Sequence, residues 1–220
     1  MDTGLTKELM ALRASKELKD GMYVNLGVGI PTSIQNFLPA DLDIVIHSET
    51  GILGCGRIAL PEEYDNDLIN AGAQPIIVLP GASFFDQIYS FGMMRGGHID
   101  LTILGAYEVS ERGDLANSMP RGTAIGGIGG AMDIASGAKK VFVMMEHVDQ
   151  QGRPKVVKQC TLPVTAFGVV KKIFTNLAVI EVTLQGLVLK EVAPGFSPAD
   201  VQKATEARLI NDPELKEIEF

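Results

Sequence analysis

Five short, almost unbroken apolar runs constrain this chain more than any other feature. They lie at 22–26, 43–47, 75–80, 99–104 and 140–145, and each is followed by glycine-rich or helix-compatible sequence. A strand that is apolar at successive positions, not at alternate ones, is covered on both faces. That pattern belongs to parallel strands with helices above and below them. Two further runs, 178–182 and 187–192, read as a closing hairpin. Residues 5–19 read as a helix with Leu5, Leu9, Leu12 and Leu18 near one face, stopped by Asp20 and Gly21. Pro31 suits the first turn of a second helix ending by Pro39. A short helix is expected after Ser83, and a final one over 198–209, entered through Ser197 and Pro198. No repeat, low-complexity tract or linker interrupts the pattern. The expectation is an α/β fold, a single domain over residues 1–220 with a mainly parallel central sheet. A chain of 220 residues buries roughly 70% of its unfolded surface and needs no disulfide staples.

Charge and cysteine usage remove several functions. Lys and Arg number 19 against 27 Asp and Glu, a net charge of −8. Binding of nucleic acid by bulk charge is therefore not expected, because phosphate neutralisation needs clustered cations. Cys55 and Cys160 form no CxxC pattern, and His47, His98 and His147 share no ligand spacing, so no metal site is expected. No apolar run has the length of a membrane span. The polar start, Met1 to Glu8, lacks the apolar core of a signal peptide, which makes the cytoplasm the expected compartment.

Three segments have the makings of chemistry. Glu49 stands just past an apolar strand, in an expected loop with glycines at 51, 54 and 56. Ligands of open α/β sheets bind beyond the carboxyl ends of strands, where a partly shielded carboxylate can be tuned. The alternative is that Ser48 caps a helical turn and Glu49 merely faces its dipole. The run 126–133, Gly-Gly-Ile-Gly-Gly-Ala-Met-Asp, offers successive N–H groups to an oxyanion, or else makes a tight crossover. Gly27, Val28 and Gly29 follow a strand but lack the lysine of a phosphate loop and read as a packed turn. None of these segments contains a dinucleotide fingerprint. Cys55 reads as structural, Lys139, Lys140, Lys171 and Lys172 as solvated faces, and Arg95 as half of a salt bridge.

Taken in order, the segments resemble the β subunit of a class I coenzyme A transferase of the 3-oxoacid or acetate type. The resemblance rests on residues 25–32, 47–54, 68–72, 79–85, 94–100, 113–117, 129–133 and 160–163. It implies that Glu49 is the nucleophile and that the Gly130 N–H helps form an oxyanion hole. It further implies that Gly27, Gly29, Thr50, Gly51 and Gly129 meet acyl-CoA. The coenzyme A thioester would be a substrate, and no cofactor would be held tightly. The family's other subunit carries a Gly-Gly-Phe-Gly segment that this chain lacks. An α subunit is therefore the implied partner, in a heterodimer or an α2β2 assembly. Thr50 replaces the usual Asn, Arg57 a common Pro and Ser118 a usual Trp, and residues 120–125 depart from the usual run. Those changes bear on acyl specificity. Two other activities remain in view: a CoA-thioester hydrolase on the same scaffold, and a non-catalytic module for a sugar phosphate or effector.

Overall fold

The computed structural model describes residues 4–123, 126–127 and 129–220. Helix α1 (Lys7–Ser15) starts at Thr6, whose hydroxyl accepts the Leu9 N–H at 3.3 Å and so satisfies an otherwise orphaned donor. Strand β1 (Tyr23–Leu26) leads into a 3₁₀ helix at Ile30–Phe37. Then come β2 (Val45–Ser48), β3 (Ile52–Ile58), β4 (Ile76–Phe84) and α2 (Gln87–Arg95). The middle of the chain forms β5 (Leu101–Leu104), β6 (Glu108–Ser110), β7 (Leu115–Ala116), α3 (Ala131–Gly137) and β8 (Val141–Met144). The rest forms β9 (Val156–Val157), β10 (Val170–Phe174), β11 (Ala178–Thr183), β12 (Gly186–Val192), α4 (Pro198–Lys203) and β13 (Leu209–Glu217).

Ten strands make one sheet, ordered β13-β12-β11-β10-β8-β5-β1-β2-β3-β4, while β7, β6 and β9 make a small second one. The middle five of the large sheet, from β10 to β2, run parallel. Antiparallel pairs, β2-β3-β4 and β10-β11-β12, flank them. Both faces are covered, which explains the continuous apolar runs. In β8, Val141 and Val143 pack toward Met94 of α2, Ile134 of α3 and Val201 of α4. Phe142 and Met144, at the alternate positions, pack toward Met10 and Ala14 of α1 and Ile34 of the 3₁₀ helix. No helix among the described residues is long and apolar enough to cross a membrane.

All five apolar runs form strands of this sheet, but only four lie in its parallel middle. The fifth, 75–80, falls in β4, an antiparallel edge strand with Leu79 exposed, so its apolar run does not mark burial on both faces. The hairpin forms where expected. The structure corrects other expectations. The expected loop after Glu49 is β3, paired with β4. Its glycines admit the neighbouring strand: a Cβ on Gly54 would stand 3.0 Å from the Ala82 Cα, and one on Gly56 only 2.7 Å from the Ile77 Cγ1. Ser48 therefore caps no helix, and Gly81 to Ser83 lie within β4. The segment after Gly29 is 3₁₀, and the last helix stops at Lys203, after which β13 pairs in parallel with β12. Of the elements absent from the sequence reading, β13 is the longest. It is a polar edge strand that contains Pro213, a residue edge strands tolerate.

Topology also decides where a ligand binds. From β1 the chain moves to β2 on one side, and later returns to place β5 on the other side of β1. Such a reversal opens a crevice outside the carboxyl ends of the strands.

Candidate active site

A cavity of about 430 Å³ fills that crevice. Each parallel strand around the reversal contributes the residues that follow it: Gly27 and Val28 after β1, Glu49 after β2, Gly105 and Ala106 after β5, Met145 and Glu146 after β8. The glycines Gly127, Gly129 and Gly130 and the first turn of α3 close another wall, with Lys155 and Tyr107 beside them.

Glu49 owes its place to a tight hairpin turn. The Gly51 N–H donates to the Ser48 carbonyl at 3.0 Å, and the Gly51 carbonyl accepts from the Phe85 N–H at 3.0 Å. The side chain is half-buried, and its Oε2 accepts the Asn25 amide N–H at 3.2 Å. Asn25 is one of three fully buried polar residues standing level on adjacent strands, Thr102 on β5, Asn25 on β1 and His47 on β2. The Thr102 hydroxyl donates to the Asn25 Oδ1 at 3.1 Å, which leaves the amide nitrogen to face His47 and Glu49. His47 bonds through Nε2 to the Ser90 hydroxyl of α2 at 2.9 Å and stacks on Phe85. Burial pushes the His47 pKa down to about 4, so the ring is neutral at physiological pH.

Gly130 precedes the first residue of α3, and neither its N–H nor that of Gly129 has an acceptor among the described residues. The Gly127 N–H is bound to the Ser118 carbonyl at 2.9 Å. A Cβ on Gly130 would stand 3.1 Å from the Phe91 ring and 3.3 Å from Ile134 Cδ1, so bare backbone faces the cavity here. Arg95 of α2 pairs with Asp133 of α3 at 2.7 Å and covers the Phe91 ring, tying the glycine turn to the helix under it. Ala124, Ile125 and Ile128, members of the segments singled out in the sequence, lie outside the described residues.

Of the residues expected to meet substrate, Gly27, Glu49, Gly129 and Gly130 line the cavity. Gly29, Thr50 and Gly51 do not. Thr50 is exposed and bonded to the Ser48 hydroxyl, Gly29 starts the 3₁₀ helix, and Gly51 is buried beneath Phe85. Cys55 is fully buried in β3 and its thiol is pushed up to about 12, which leaves no thiolate to compete with Glu49. His147 sits apart from His47, between the hydroxyls of Thr175 and Thr205, at 2.8 Å from each. Lys139 pairs with Asp100 and Lys172 with Glu17, each at 2.7 Å. Asn25, Thr102 and Lys155 escaped the sequence reading. Asn25 did leave a signal, being the one amide inside an apolar strand; Lys155 left none.

Glu49 and the Gly129 and Gly130 N–H groups, which have no acceptor among the described residues, thus meet at the carboxyl ends of parallel strands in an α/β fold. The chain belongs to the coenzyme A transferase family, whose model, described as coenzyme A transferase, matches residues 7–204. Among curated relatives, the B subunit of the succinyl-CoA:3-ketoacid coenzyme A transferase of Helicobacter pylori (strain ATCC 700392 / 26695) is 52% identical over 201 residues. The match covers 91% of this chain and 97% of that protein. The B subunit of the 3-oxoadipate CoA-transferase of Pseudomonas putida is 45% identical over 207 residues, 94% of this chain and 97% of that one. Among solved structures, an acyl-CoA transferase of Escherichia coli O157:H7 in a thioester complex with CoA superposes with a TM-score of 0.78 at 24% identity. All of this chain is covered, but only 44% of that longer one. These relatives favour coenzyme A transfer over the hydrolase and effector-binding alternatives.

Proposed function

We propose that this chain is the B half of a two-subunit enzyme that moves coenzyme A between carboxylic acids, with Glu49 as the covalent carrier. The acids are a 3-oxoacid or another short-chain acid on one side and succinate or acetate on the other. The observation that carries the reading is the placement of Glu49 in one cavity with the N–H groups of Gly129 and Gly130, which have no acceptor among the described residues.

The chemistry follows from the groups present. One Glu49 oxygen is held by Asn25, and the other has no partner among the described residues. The carboxylate attacks the thioester carbonyl, the C–S bond breaks, and CoA thiolate departs to leave an acyl-glutamyl anhydride. The thiolate then attacks the Glu49 carbonyl, releasing the first acid as its carboxylate and forming a glutamyl-CoA thioester. The second acid attacks that thioester to make a new anhydride. Thiolate takes its acyl group and returns Glu49 as a carboxylate. No proton or electron is gained or lost. A carboxylate is a weak nucleophile, so charge developing on the carbonyl oxygen must be met by fixed donors. We assign that role to the Gly130 N–H, and one such donor typically contributes ~2.7–4 kcal/mol to the barrier. Gly27 also lines the cavity, where its missing Cβ makes room for β5: a Cβ there would stand 3.1 Å from the Leu104 side chain and 3.2 Å from the Ile103 carbonyl. The coenzyme A thioester is a substrate here, and the reaction requires no tightly bound cofactor.

An α subunit completes the enzyme in this reading, as a heterodimer or α2β2, in the cytoplasm. Phe84, Ile88 and Tyr89 support it, because these large apolar side chains are exposed beside the Phe85 backbone that braces the Glu49 turn. The test is direct. Incubated with acyl-CoA and no acceptor acid, the assembled enzyme should accumulate the thioester. Borohydride reduction and peptide mass analysis should place it at Glu49, and Glu49→Gln should abolish it. An adduct on Cys55, or a Glu49→Gln enzyme that keeps most of its transferase activity, refutes the mechanism.

A further inference from the structure

Among the described residues lining the Glu49 cavity, Lys155 is the only cation. A second cavity of about 430 Å³ adjoins the first, and Tyr107, Glu146 and Lys155 belong to the walls of both. The other cations of the second cavity are engaged: Arg121 with Glu108 at 2.5 Å and Arg153 with Asp149 at 2.6 Å. Lys155 takes part in no ion pair among the described residues. Its backbone is anchored, however. The Lys155 N–H donates to the His147 carbonyl at 3.1 Å, its carbonyl accepts from the Val109 N–H at 2.9 Å, and β9 begins at the next residue. The side chain is half-buried, and its ammonium is drawn by Glu146 and Asp149 but makes no ion pair or hydrogen bond with either, which leaves its donors open to an anionic occupant. Burial lowers its pKa to about 8, against the opposite pull of Glu146 and Asp149, so it remains charged at neutral pH.

We propose that Lys155 selects the acid: its ammonium receives the second carboxylate of a dicarboxylic substrate whose first carboxylate reacts at Glu49. The inference rests on the transferase reading above. The acid lies across the junction of the two cavities, its reacting end toward Glu49 and the glycine N–H groups and its far end past Tyr107. A monocarboxylic acid leaves the ammonium unpaired, and a site that strands a desolvated polar group discriminates against the ligand that strands it. Lysine on a fixed backbone suits this role, because its flexible stem carries a point charge that tolerates acids of slightly different length.

The experiment compares succinate with acetate as acceptor, using the enzyme assembled with its partner subunit. Lys155→Met should raise the succinate KM about tenfold or more, and the acetate KM less than about threefold. Lys155→Arg should restore most of the preference for succinate. Calorimetric binding of succinate to the assembled protein, without acyl-CoA, should weaken in parallel. Equal effects on both acids, an effect on the acyl-CoA KM alone, or a wild-type enzyme indifferent to the second carboxylate would each overturn the proposal. Its failure is distinguishable from failure of the transferase reading. The latter shows as a missing Glu49 adduct in the wild type, the former as a normal adduct with unaltered acid preference.

Discussion

Gly51→Ala puts the bracing of the nucleophile to the test without touching the cavity. Gly51 has φ +117°, and a Cβ built on it would stand 2.0 Å from the Phe85 carbonyl oxygen. Both groups are backbone, so no flexible side chain can swing away. Relief requires the two segments to part by about 1 Å, since carbon and oxygen do not approach closer than roughly 3 Å without severe repulsion. The same two residues are joined by the Phe85 N–H bond to the Gly51 carbonyl, so the displacement passes into the turn that carries Glu49, two residues back. Misplacing a reacting group by about 1 Å can lower kcat by about 10²-fold. The left-handed backbone adds strain of about 1–3 kcal/mol. In a chain of this length that strain alone lowers Tm by roughly 2–12 °C. Gly21→Ala is the control. Its φ is +74°, no atom lies within 4 Å of its Cβ, and it precedes β1 at the opposite end of the sheet from the cavity. Steady-state kinetics of the assembled enzyme and calorimetric melting should show Gly51→Ala losing both activity and stability. Gly21→Ala should lose stability alone. A folded Gly51→Ala enzyme within about threefold of the wild-type kcat would refute the claim that close backbone approach positions Glu49.

Asn25→Asp should set a second carboxylate beside the Glu49 oxygen that Asn25 now holds at 3.2 Å. The like charges repel, and the amide N–H that held the Glu49 carboxylate is lost. The kcat of the assembled variant should therefore fall by about tenfold or more, as for the loss of a hydrogen bond to a charged group; an unchanged kcat would remove Asn25 from the site. The buried histidines predict how stability responds to acid. His47 and His147 have folded pKa values of about 4 against an ordinary 6.5, both through burial. Between those values the unfolded chain binds more protons than the folded one. Their contribution is therefore complete above pH 6.5 and is lost as pH falls toward 4, by about 2 kcal/mol for each ring at pH 5. Urea unfolding at pH 7 and pH 5 should show this loss, and His147→Gln should reduce it by about half. A variant with the full wild-type pH dependence would contradict the assignment.

How far the sequence reached depended on whether a signal was local. Strands β1, β2, β5 and β8 were readable because a strand sandwiched between helix layers must be apolar at every position, and that needs no knowledge of its neighbours. Glu49 was readable for a related reason: it follows such a strand, and the ends of parallel strands are where crevices form. β3 was not readable, because its glycines at 54 and 56 look like loop. Only the approach of Ala82 and Ile77 from β4 shows that they are spaces kept open for a neighbouring strand. The polar β13 went unseen because its stability comes from hydrogen bonds to β12 and not from a buried face. The site divided along the same line. The carboxylate and the glycine run are local features. The row Thr102, Asn25 and His47 joins residues 77 and 22 positions apart in the chain, brought level by the register of three parallel strands. Lys155 reaches the cavity from a separate small sheet, through backbone bonds to His147 and Val109. Periodicity and strand ends are written in consecutive residues, so the sequence determined the layers and the carboxylate. Which groups surround that carboxylate depends on register and sheet order, which are decided by how the layers pack and are carried by no short stretch of chain.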